Sequence, residues 1–269
     1  MDDSIAIITV VKDDPAGLVS TYESLVKQTH LRWTQIIVVA QNSTSSMHMG
    51  RSIAESDSRV QAVWQQSTGI YPAMNEALEI VDSRFCWFMN AGDTFYDPRT
   101  IDRAFSLIKL KGTGVVIGGY AVKNANSVKE FKFRSKNISK SEFALNRRSG
   151  CHQAIIFATS ALKEIGCYDN NFPICADFKS IIDIIAKYGA FRDDQIYAYI
   201  EPGGISDTQL ENVYFEKHQI RQNSFSSGTM RILSRTWTVL AWLKYKFKSF
   251  KAGSKEVPQS TNNKGKTAI

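Results

Sequence analysis

The sequence predicts an α/β fold in which a mostly parallel sheet is flanked by helices. In the first half of the chain, short apolar runs rich in β-branched residues alternate with amphipathic segments, and the connections between them are short. Several of the apolar runs end on polar residues or glycine. Ligands bind beyond the carboxyl ends of the strands in such sheets, so we expect a functional site at that edge.

The composition is that of a globular chain without a membrane span. Of its 269 residues, 43% are hydrophobic and 22% are charged, which is enough for one large core. The acidic start Met1-Asp2-Asp3 does not resemble a signal peptide, and no uncharged apolar run approaches the ~20 residues that span a bilayer. The four cysteines share no C-x-x-C spacing, so we expect reduced thiols in a cytoplasmic protein.

Four strands are predicted in the first half, at 5–11, 35–40, 60–64 and 84–89. Asp14 and Asp97 each precede a proline, a pattern typical of an N-cap and first helical residue, and Pro72 predicts the start of a third helix. On the helix after Asp14, the residues expected to face the sheet are Leu18, Tyr22, Leu25 and Val26.

The second half is predicted to be mixed. Strands are expected at 115–122, 128–135, 153–158 and 195–200, and helical segments at 176–189, 208–225 and 229–250. The apolar face of the 176–189 helix consists of Phe178, Ile181, Ile182 and Ile185. Residues 253–269 are rich in Ser, Thr, Asn and Lys and are predicted to be disordered.

Two carboxylates could carry chemistry. Asp93 ends the segment Asn90-Ala-Gly-Asp93 directly after a buried strand, where its oxygens could bind Mg²⁺ or Mn²⁺, although a simple turn is an equally good interpretation of the spacing. Asp177 could act as a general base, whereas propensity alone favours an N-cap or a first-turn carboxylate at the start of a helix.

The ordered segments GIYPAMNEAL, NAGD, CHQAIIF, ADFKSIIDI and GGIS, over about residues 5–206, resemble the family 2 glycosyltransferases. The similarity is greatest to a bacterial subgroup that includes a colanic-acid transferase. It implies a GT-A fold, a UDP- or GDP-sugar donor, Mn²⁺ or Mg²⁺, and inversion at the anomeric carbon. It also implies a catalytic domain at 1–206, with a nucleotide-sugar half at 1–112 and an acceptor half at 113–206.

The resemblance assigns roles residue by residue. Asp93 matches the metal-binding position and Asp177 the catalytic base. The positions that match donor-binding residues are Val11, Asp13, Gln41, Gly69, Tyr71, Asn75, Asn90, Ala91 and Gly92. Those that match acceptor- or diphosphate-binding residues are His152, Gln153, Gly204 and Ser206. The chain departs from the family pattern after the second strand, where Gln41-Asn42-Ser43 replaces a stretch that usually carries carboxylates.

The positive charge is concentrated in the C-terminal segment. Net charge is +7, and between 231 and 251 there are six basic residues and no acidic one. The apolar stripe of this segment is Leu233, Trp237, Leu240, Leu243 and Phe247, with Arg231, Arg235, Trp242 and Lys246 on the other side. A basic helix of this kind suits the surface of an anionic membrane. The family's expected acceptor, an undecaprenyl-diphosphate-linked glycan on the cytoplasmic face of the inner membrane, favours that interpretation over packing on the domain or in a homodimer.

Three other functions remain open at this stage. A nucleotidyltransferase would usually have a glycine-rich loop with a basic residue after the first strand, and VVKDDPAGL lacks it. Nucleic-acid binding is disfavoured because the basic charge is confined to one end and the core contains no nucleic-acid-binding motif. The missing carboxylates around Gln41 leave open a transferase-like binding protein without activity.

Overall fold

The computed structural model describes residues 4–124, 127–146, 150–229, 231–236, 238–240 and 242. The strands of this part are β1 (Ile5–Val11), β2 (Trp33–Val39), β3 (Val60–Trp64), β4 (Phe85–Phe88), β5 (Thr94–Phe95), β6 (Val115–Asn124), β7 (Ser127–Phe131), β8 (Lys136–Ile138), β9 (Ile155–Ala158) and β10 (Ala190–Ile200). The helices are α1 (Pro15–Val26), α2 (Thr44–Ser56), α3 (Ile70–Ile80), α4 (Thr100–Lys111), α5 (Lys140–Leu145), α6 (Thr159–Glu164), α7 (Ala176–Tyr188), α8 (Ile205–Thr208) and α9 (Leu210–Ser224).

All of these strands belong to one mixed sheet, in the order β3-β2-β1-β4-β9-β6-β10-β5, with β7 on β6 and β8 on β10. The first four strands are parallel. β9 is antiparallel to both of its neighbours, so β6 and β10 again point in the direction of β1. The predicted α/β fold with a mostly parallel sheet and flanking helices is confirmed. We call the edge at the carboxyl ends of β1–β4 the rim.

The helices cover both faces of the sheet. α1, α2 and α4 pack on one face, and α3, α5, α6 and α7 pack on the other. The apolar face predicted for α7 is confirmed, because all four of its residues are buried. On α1 the prediction is wrong for Val26, which is 47% exposed. The buried stripe of α1 is Leu18, Thr21 and Leu25, so the polar Thr21 faces the sheet.

The Asp-Pro and Pro signals predicted the start of α1 correctly, but not the starts of α3 and α4. Asp14 caps α1 as predicted, because its Oδ1 accepts the Gly17 N–H at 2.8 Å and Pro15 is the first helical residue. α4 begins later than predicted, at Thr100, because Asp97 accepts the Arg99 N–H and forms a turn. α3 begins at Ile70 rather than Pro72, and its N-cap Gly69 has φ = 113°, which favours glycine.

Two leucines of the predicted apolar stripe, Leu233 and Leu240, point away from the domain in the described part of the C-terminal segment. Helical residues occur at 228–229, 231–236, 238–240 and 242. Ser234 and Thr238 are buried (0% and 9% exposed), whereas Leu233 and Leu240 are 51% and 62% exposed. Four residues of the predicted basic helix lie outside the described residues, namely Trp237, Leu243, Lys246 and Phe247. The segment 253–269, which is predicted to be disordered, lies outside them as well. Among the residues described, none of the helices is long and apolar enough to cross a bilayer.

An ion-pair cluster connects α1, α2 and β3 at the edge of the sheet opposite the rim. Asp57 accepts hydrogen bonds from the Arg59 guanidinium at 2.7 and 2.9 Å and from the Tyr22 hydroxyl at 3.0 Å. The guanidinium also lies 3.6 Å from the ring centroid of Trp33. The hydrogen bond from Arg59 is the main reason why the pKa of Asp57 is lowered to about 2.

We predict that Asp57→Asn lowers the free energy of unfolding by roughly 1–2 kcal/mol at pH 7, because a charge-assisted hydrogen bond is lost. A lowered folded-state pKa contributes stability above the unfolded-state pKa, and this is lost as pH falls through the folded-state value. The difference between parent and variant should therefore shrink from pH 4 to pH 2 in urea-unfolding measurements. Glu23→Gln, which removes an exposed partner of Lys27, is the matched control and should change stability little. A constant difference across this pH range would contradict the prediction.

Candidate active site

The part of the rim that is predicted to bind the nucleotide is formed by the ends of β1 and β2. Val11 is buried at the end of β1. Asp13 adopts a left-handed conformation (φ = 51°) and donates its backbone N–H to Ser43 Oγ at 2.7 Å. Gln41 is exposed and donates from Nε2 to the Gln66 carbonyl at 3.0 Å. The side chains of Asp13 and Gln41 therefore lie at the solvent side of the rim.

The turn Asn90–Asp93 follows β4 and is held by a residue of α1. The Thr21 hydroxyl donates to the Asp93 carbonyl at 2.7 Å and accepts the Gly92 N–H at 3.1 Å. Gly92 has φ = 94°, a conformation that favours glycine. Sequence reasoning missed Thr21, although a polar residue on the apolar face of α1 was a signal that could have found it.

Asp93 is buried, with only 5% exposure. Its Oδ2 accepts a hydrogen bond from Gln153 Nε2 at 2.8 Å, and its Oδ1 accepts the backbone N–H of Glu201 at 3.0 Å. Burial raises the pKa of Asp93 to about 7, the charge of Glu201 adds to this, and the two hydrogen bonds oppose it. A nearby cation would therefore strongly favour the ionised carboxylate.

Few protein groups near Asp93 could hold a metal ion. In the described part of the chain, no three His, Cys, Asp or Glu side chains form a cluster that could bind one. Next to Asp93 in the same turn, however, the Asn90 Oδ1 atom is buried without a hydrogen-bond partner. A carboxylate accepts at about four lone-pair positions, so Asp93 keeps acceptor capacity beyond its two hydrogen bonds. Two hard oxygen donors suit Mg²⁺ or Mn²⁺ that takes its other ligands from phosphates and water.

Asp177 lies in the first turn of α7 and is half-buried. The N-cap of α7 is Cys175, so of the two structural alternatives Asp177 is the first-turn carboxylate and not the N-cap. The Tyr71 hydroxyl lies 2.8 Å from Asp177 Oδ1 and 2.8 Å from the Ile174 carbonyl oxygen, and its single proton can serve either acceptor. Burial, together with the charge of Asp177, raises the pKa of Tyr71 well above its ordinary value. Tyr71, which we predicted to bind the donor, therefore contacts the candidate base.

A chain of contacts connects the two carboxylates through two adjacent residues of a 3₁₀ turn, His152–Ala154. Gln153 contacts Asp93, as described above. His152 Nε2 lies 2.7 Å from the Tyr168 hydroxyl, and the Tyr168 ring lies 5.3 Å from that of Tyr71. Burial lowers the pKa of His152, which favours the neutral imidazole. His152 and Gln153 thus join the Asp93 side of the site to the Asp177 side.

The remaining predicted residues lie around this centre. Asn75 exchanges two hydrogen bonds with the backbone of Tyr168, at 2.9 and 3.0 Å, and so fixes that segment. The Gly69 carbonyl accepts from Gln65 Nε2 at 2.6 Å. Gly204 and Ser206 are exposed in the segment that follows β10. That segment reaches the site through Glu201, whose backbone contact with Asp93 was not predicted.

A mixed sheet of this order, with helices on both faces, has the architecture of a GT-A-type glycosyltransferase. The sequence model described as "Glycosyl transferase family 2" matches residues 4–164, and the chain belongs to that family. The match ends before Asp177.

Relatives and solved structures agree with this class. An uncharacterized glycosyltransferase of Mycobacterium tuberculosis, Rv1514c, is 25% identical over 66% of this chain and 68% of its own. A PGL/p-HBAD biosynthesis glycosyltransferase of Mycobacterium bovis is 24% identical over 55% and 57%. TarS 1–349 of S. aureus in complex with UDP superposes with a TM-score of 0.69 at 14% identity, covering 95% of this chain and 76% of that one. The Pyrobaculum calidifontis mannosyltransferase PcManGT, in complex with GDP-Man and Mn²⁺, gives 0.66 at 10% identity, with 94% and 76% covered.

We predict that Asp93→Asn changes the pH dependence of stability in metal-free buffer. The raised pKa means that Asp93 binds its proton more tightly in the folded protein than in the unfolded chain. Its contribution to the free energy of unfolding is therefore greatest below pH 4 and falls as pH rises to about 7. Asparagine cannot lose a proton. The variant should therefore gain stability relative to the parent by up to about 1.4 kcal/mol per pH unit in this range.

Urea unfolding in EDTA between pH 4 and pH 8 measures this difference. Asp82→Asn, which alters an exposed carboxylate, is the control and should follow the parent. If the difference between Asp93→Asn and the parent did not change with pH, Asp93 would not be the buried titrating group described above.

Proposed function

We propose that this protein is an inverting glycosyltransferase that moves a sugar from a UDP- or GDP-sugar to a lipid-linked glycan. The acceptor we propose is an undecaprenyl-diphosphate-linked glycan at the cytoplasmic face of a bacterial inner membrane. The product would be a surface polysaccharide of the O-antigen, capsule or colanic-acid type. The single observation that carries the proposal is the pair Asp93 and Asp177, joined by the contacts of Gln153 and His152.

Asp177 is the general base of the proposed reaction. The acceptor hydroxyl gives its proton to the Asp177 carboxylate while its oxygen bonds to the anomeric carbon. The bond from that carbon to the donor phosphate breaks, and its electron pair leaves with the nucleoside diphosphate. Attack opposite the leaving group inverts the anomeric configuration. Tyr71 donates to Asp177 Oδ1 and so orients the carboxylate for proton transfer.

Asp93 and Asn90 are the residues that would hold a divalent cation. Bound there, Mn²⁺ or Mg²⁺ would neutralise negative charge that develops on the leaving diphosphate. Gln153 and the Glu201 N–H fix both oxygens of Asp93, so its orientation does not depend on the ligand. The complex of the Pyrobaculum calidifontis mannosyltransferase with GDP-Man and Mn²⁺ supports this assignment by analogy of fold.

The rim between β1 and β4 is the proposed donor site. Val11, Asp13, Gln41, Gly69, Ala91 and Gly92 are the residues that we assign to it. Gln41 takes the place of a carboxylate that the family usually carries, so we propose that its amide contacts the nucleotide. The TarS complexes with UDP and UDP-GlcNAc support a nucleotide-sugar as the ligand of this fold. His152, Gln153, Gly204 and Ser206 are assigned to the acceptor and diphosphate side.

The C-terminal segment is the proposed membrane contact. Leu233, Leu240 and Trp242 are exposed, and Arg231 and Arg235 are exposed on the same segment. A helix whose apolar side chains point away from the domain and are flanked by basic residues suits the surface of an anionic membrane. This contact would bring the site to a lipid-linked acceptor.

We predict that Asp177→Asn lowers kcat by about 10²–10⁴-fold, the usual contribution of a general base. Asp93→Asn should abolish transfer and weaken the response to Mn²⁺. The assay measures nucleotide release from a panel of UDP- and GDP-sugars. Binding is followed by thermal shift, in which a ligand at 100 times its Kd adds about 2.7 kcal/mol. Asp183→Asn, which alters the partner of Lys179 on the same helix, is the matched control.

Three results would contradict the proposal. Near-normal turnover by both variants would refute the roles of Asp93 and Asp177. Donor binding without turnover by the parent would favour an inactive binding protein. Pyrophosphate release from a nucleoside triphosphate would favour a nucleotidyltransferase.

We predict that the double variant Leu233→Ser/Leu240→Ser binds vesicles of phosphatidylglycerol about 10-fold more weakly than the parent, because two exposed apolar side chains are lost. Co-sedimentation measures the binding, and the parent should bind phosphatidylcholine vesicles weakly. Leu110→Ser, at an even more exposed leucine of α4, is the control. Equal binding by the parent and the double variant would refute a membrane contact through this face.

A further inference from the structure

Helix α9, which precedes the C-terminal segment, contacts the start of α7, the helix that carries Asp177. Glu216 of α9 is buried, with 7% exposure. Its Oε2 accepts the backbone N–H of Ile174 at 3.1 Å and that of Cys175, 41 residues earlier in the chain, at 2.8 Å. A carboxylate from outside the predicted catalytic domain thus contacts the backbone of Cys175, which is two residues before the candidate base Asp177.

This contact holds the backbone at the start of α7, where the local sequence provides no side-chain cap. The first N–H groups of a helix have no partners within the helix, and Ser, Thr, Asp or Asn at the N-cap usually accepts from one of them. The N-cap of α7 is Cys175, whose side chain makes no capping hydrogen bond. Glu216 places negative charge at this end of the helix, where the helix dipole favours it. Glu216 accepts from the N-cap residue Cys175 and from Ile174 before it, so it fixes the chain that leads into the first turn, where Asp177 lies.

The same residue, Ile174, connects Glu216 to the hydrogen bond on Asp177. Its N–H is held by Glu216, and its carbonyl oxygen lies 2.8 Å from the Tyr71 hydroxyl, which also contacts Asp177. A displacement of Ile174 would therefore change the partner of Tyr71 and the orientation of the base.

α9 is fixed against α7 by a second set of contacts. Arg221 is buried, donates from Nε to the Ala144 carbonyl at 2.7 Å, and lies 5.3 Å from the ring centroid of Phe178. Lys217 Nζ lies 4.9 Å from the same ring. Phe178 follows Asp177 directly, so α9 contacts the chain on both sides of the base.

We propose that Glu216 is a positioning residue for Asp177 and that α9 belongs to the catalytic unit, which then extends beyond residue 206. The inference rests on the proposed role of Asp177 as the base. Glu216 acts through the backbone of Ile174 and Cys175 and does not itself touch substrate.

The test compares Glu216→Ala and Glu216→Gln in the full-length chain. Glutamine keeps an acceptor oxygen at the same distance, whereas alanine removes it. Gln219→Ala, an exposed position of α9, is the matched control. Amide hydrogen exchange, read by mass spectrometry in peptides covering 170–180 and 85–95, needs no substrate. Turnover is measured with the UDP- or GDP-sugar that the parent uses, and Asp177→Asn is assayed in parallel.

We expect Glu216→Ala to speed exchange in 170–180 but not in 85–95. It should lower kcat about 100-fold, the typical effect of a misplaced catalytic group, with donor KM within about 2-fold of the parent. Glu216→Gln should recover most of the turnover, and Gln219→Ala should match the parent.

Unchanged exchange in 170–180 or an unchanged kcat in Glu216→Ala would overturn the inference, and so would a rise in donor KM that accounts for the whole loss. Normal turnover by Asp177→Asn would instead refute the proposed base. In that case faster exchange in 170–180 would still establish that Glu216 holds the start of α7. The positioning role would be refuted, because Asp177 would not be the base.

Discussion

The site depends on the burial of one carboxylate at the end of a buried strand. β4 is buried along its whole length, and the turn after it brings Asp93 into an environment that disfavours charge. Such a group needs hydrogen-bond donors, and Gln153 and the Glu201 N–H supply them from distant parts of the chain, while a third residue holds the backbone of the turn. Thr21 of α1 holds the turn, Gln153 precedes β9, and Glu201 follows β10. The geometry at Asp93 is therefore complete only when the parallel half and the mixed half of the sheet have both assembled.

Asp177 occupies a contrasting environment, which suits a different task. It is half-buried at the start of a helix, where the free N–H groups favour negative charge, and it accepts a hydrogen bond from Tyr71. Asp93 is a carboxylate for which a cation would be a strong partner, whereas Asp177 is the group that we propose as the base. Gln153 contacts Asp93 directly, and its neighbour His152 contacts Tyr168, whose ring packs on Tyr71 beside Asp177, so two adjacent residues set how the halves of the site meet.

Periodicity predicted the elements that are long enough to show it. The parallel strands were found as mostly apolar runs of four to seven residues, and α1 and α7 because apolar residues recur at helical spacing over 12 and 13 residues. β5, β8, α5 and α6 have two to six residues and were missed for want of such a pattern. At the site, sequence similarity identified Asp93 and Asp177. It could not identify Thr21, Glu201 or Glu216, because their partners lie about 40 to 110 residues away.

The orientation of the C-terminal segment shows how a few polar contacts can override a hydrophobic pattern. A helix with this apolar stripe would normally bury it against protein. Instead Ser234 and Thr238 face α9, and Thr238 and Gln222 make hydrogen bonds across that interface, at 3.5 Å to Arg221 and 3.4 Å to Ser234. Arg221 is itself buried and fixed by the Ala144 carbonyl, so leucines packed at this interface would leave a buried guanidinium with fewer partners, which is costly. The need to satisfy Arg221 therefore favours the observed rotation of the helix, and the exposed leucines follow from it.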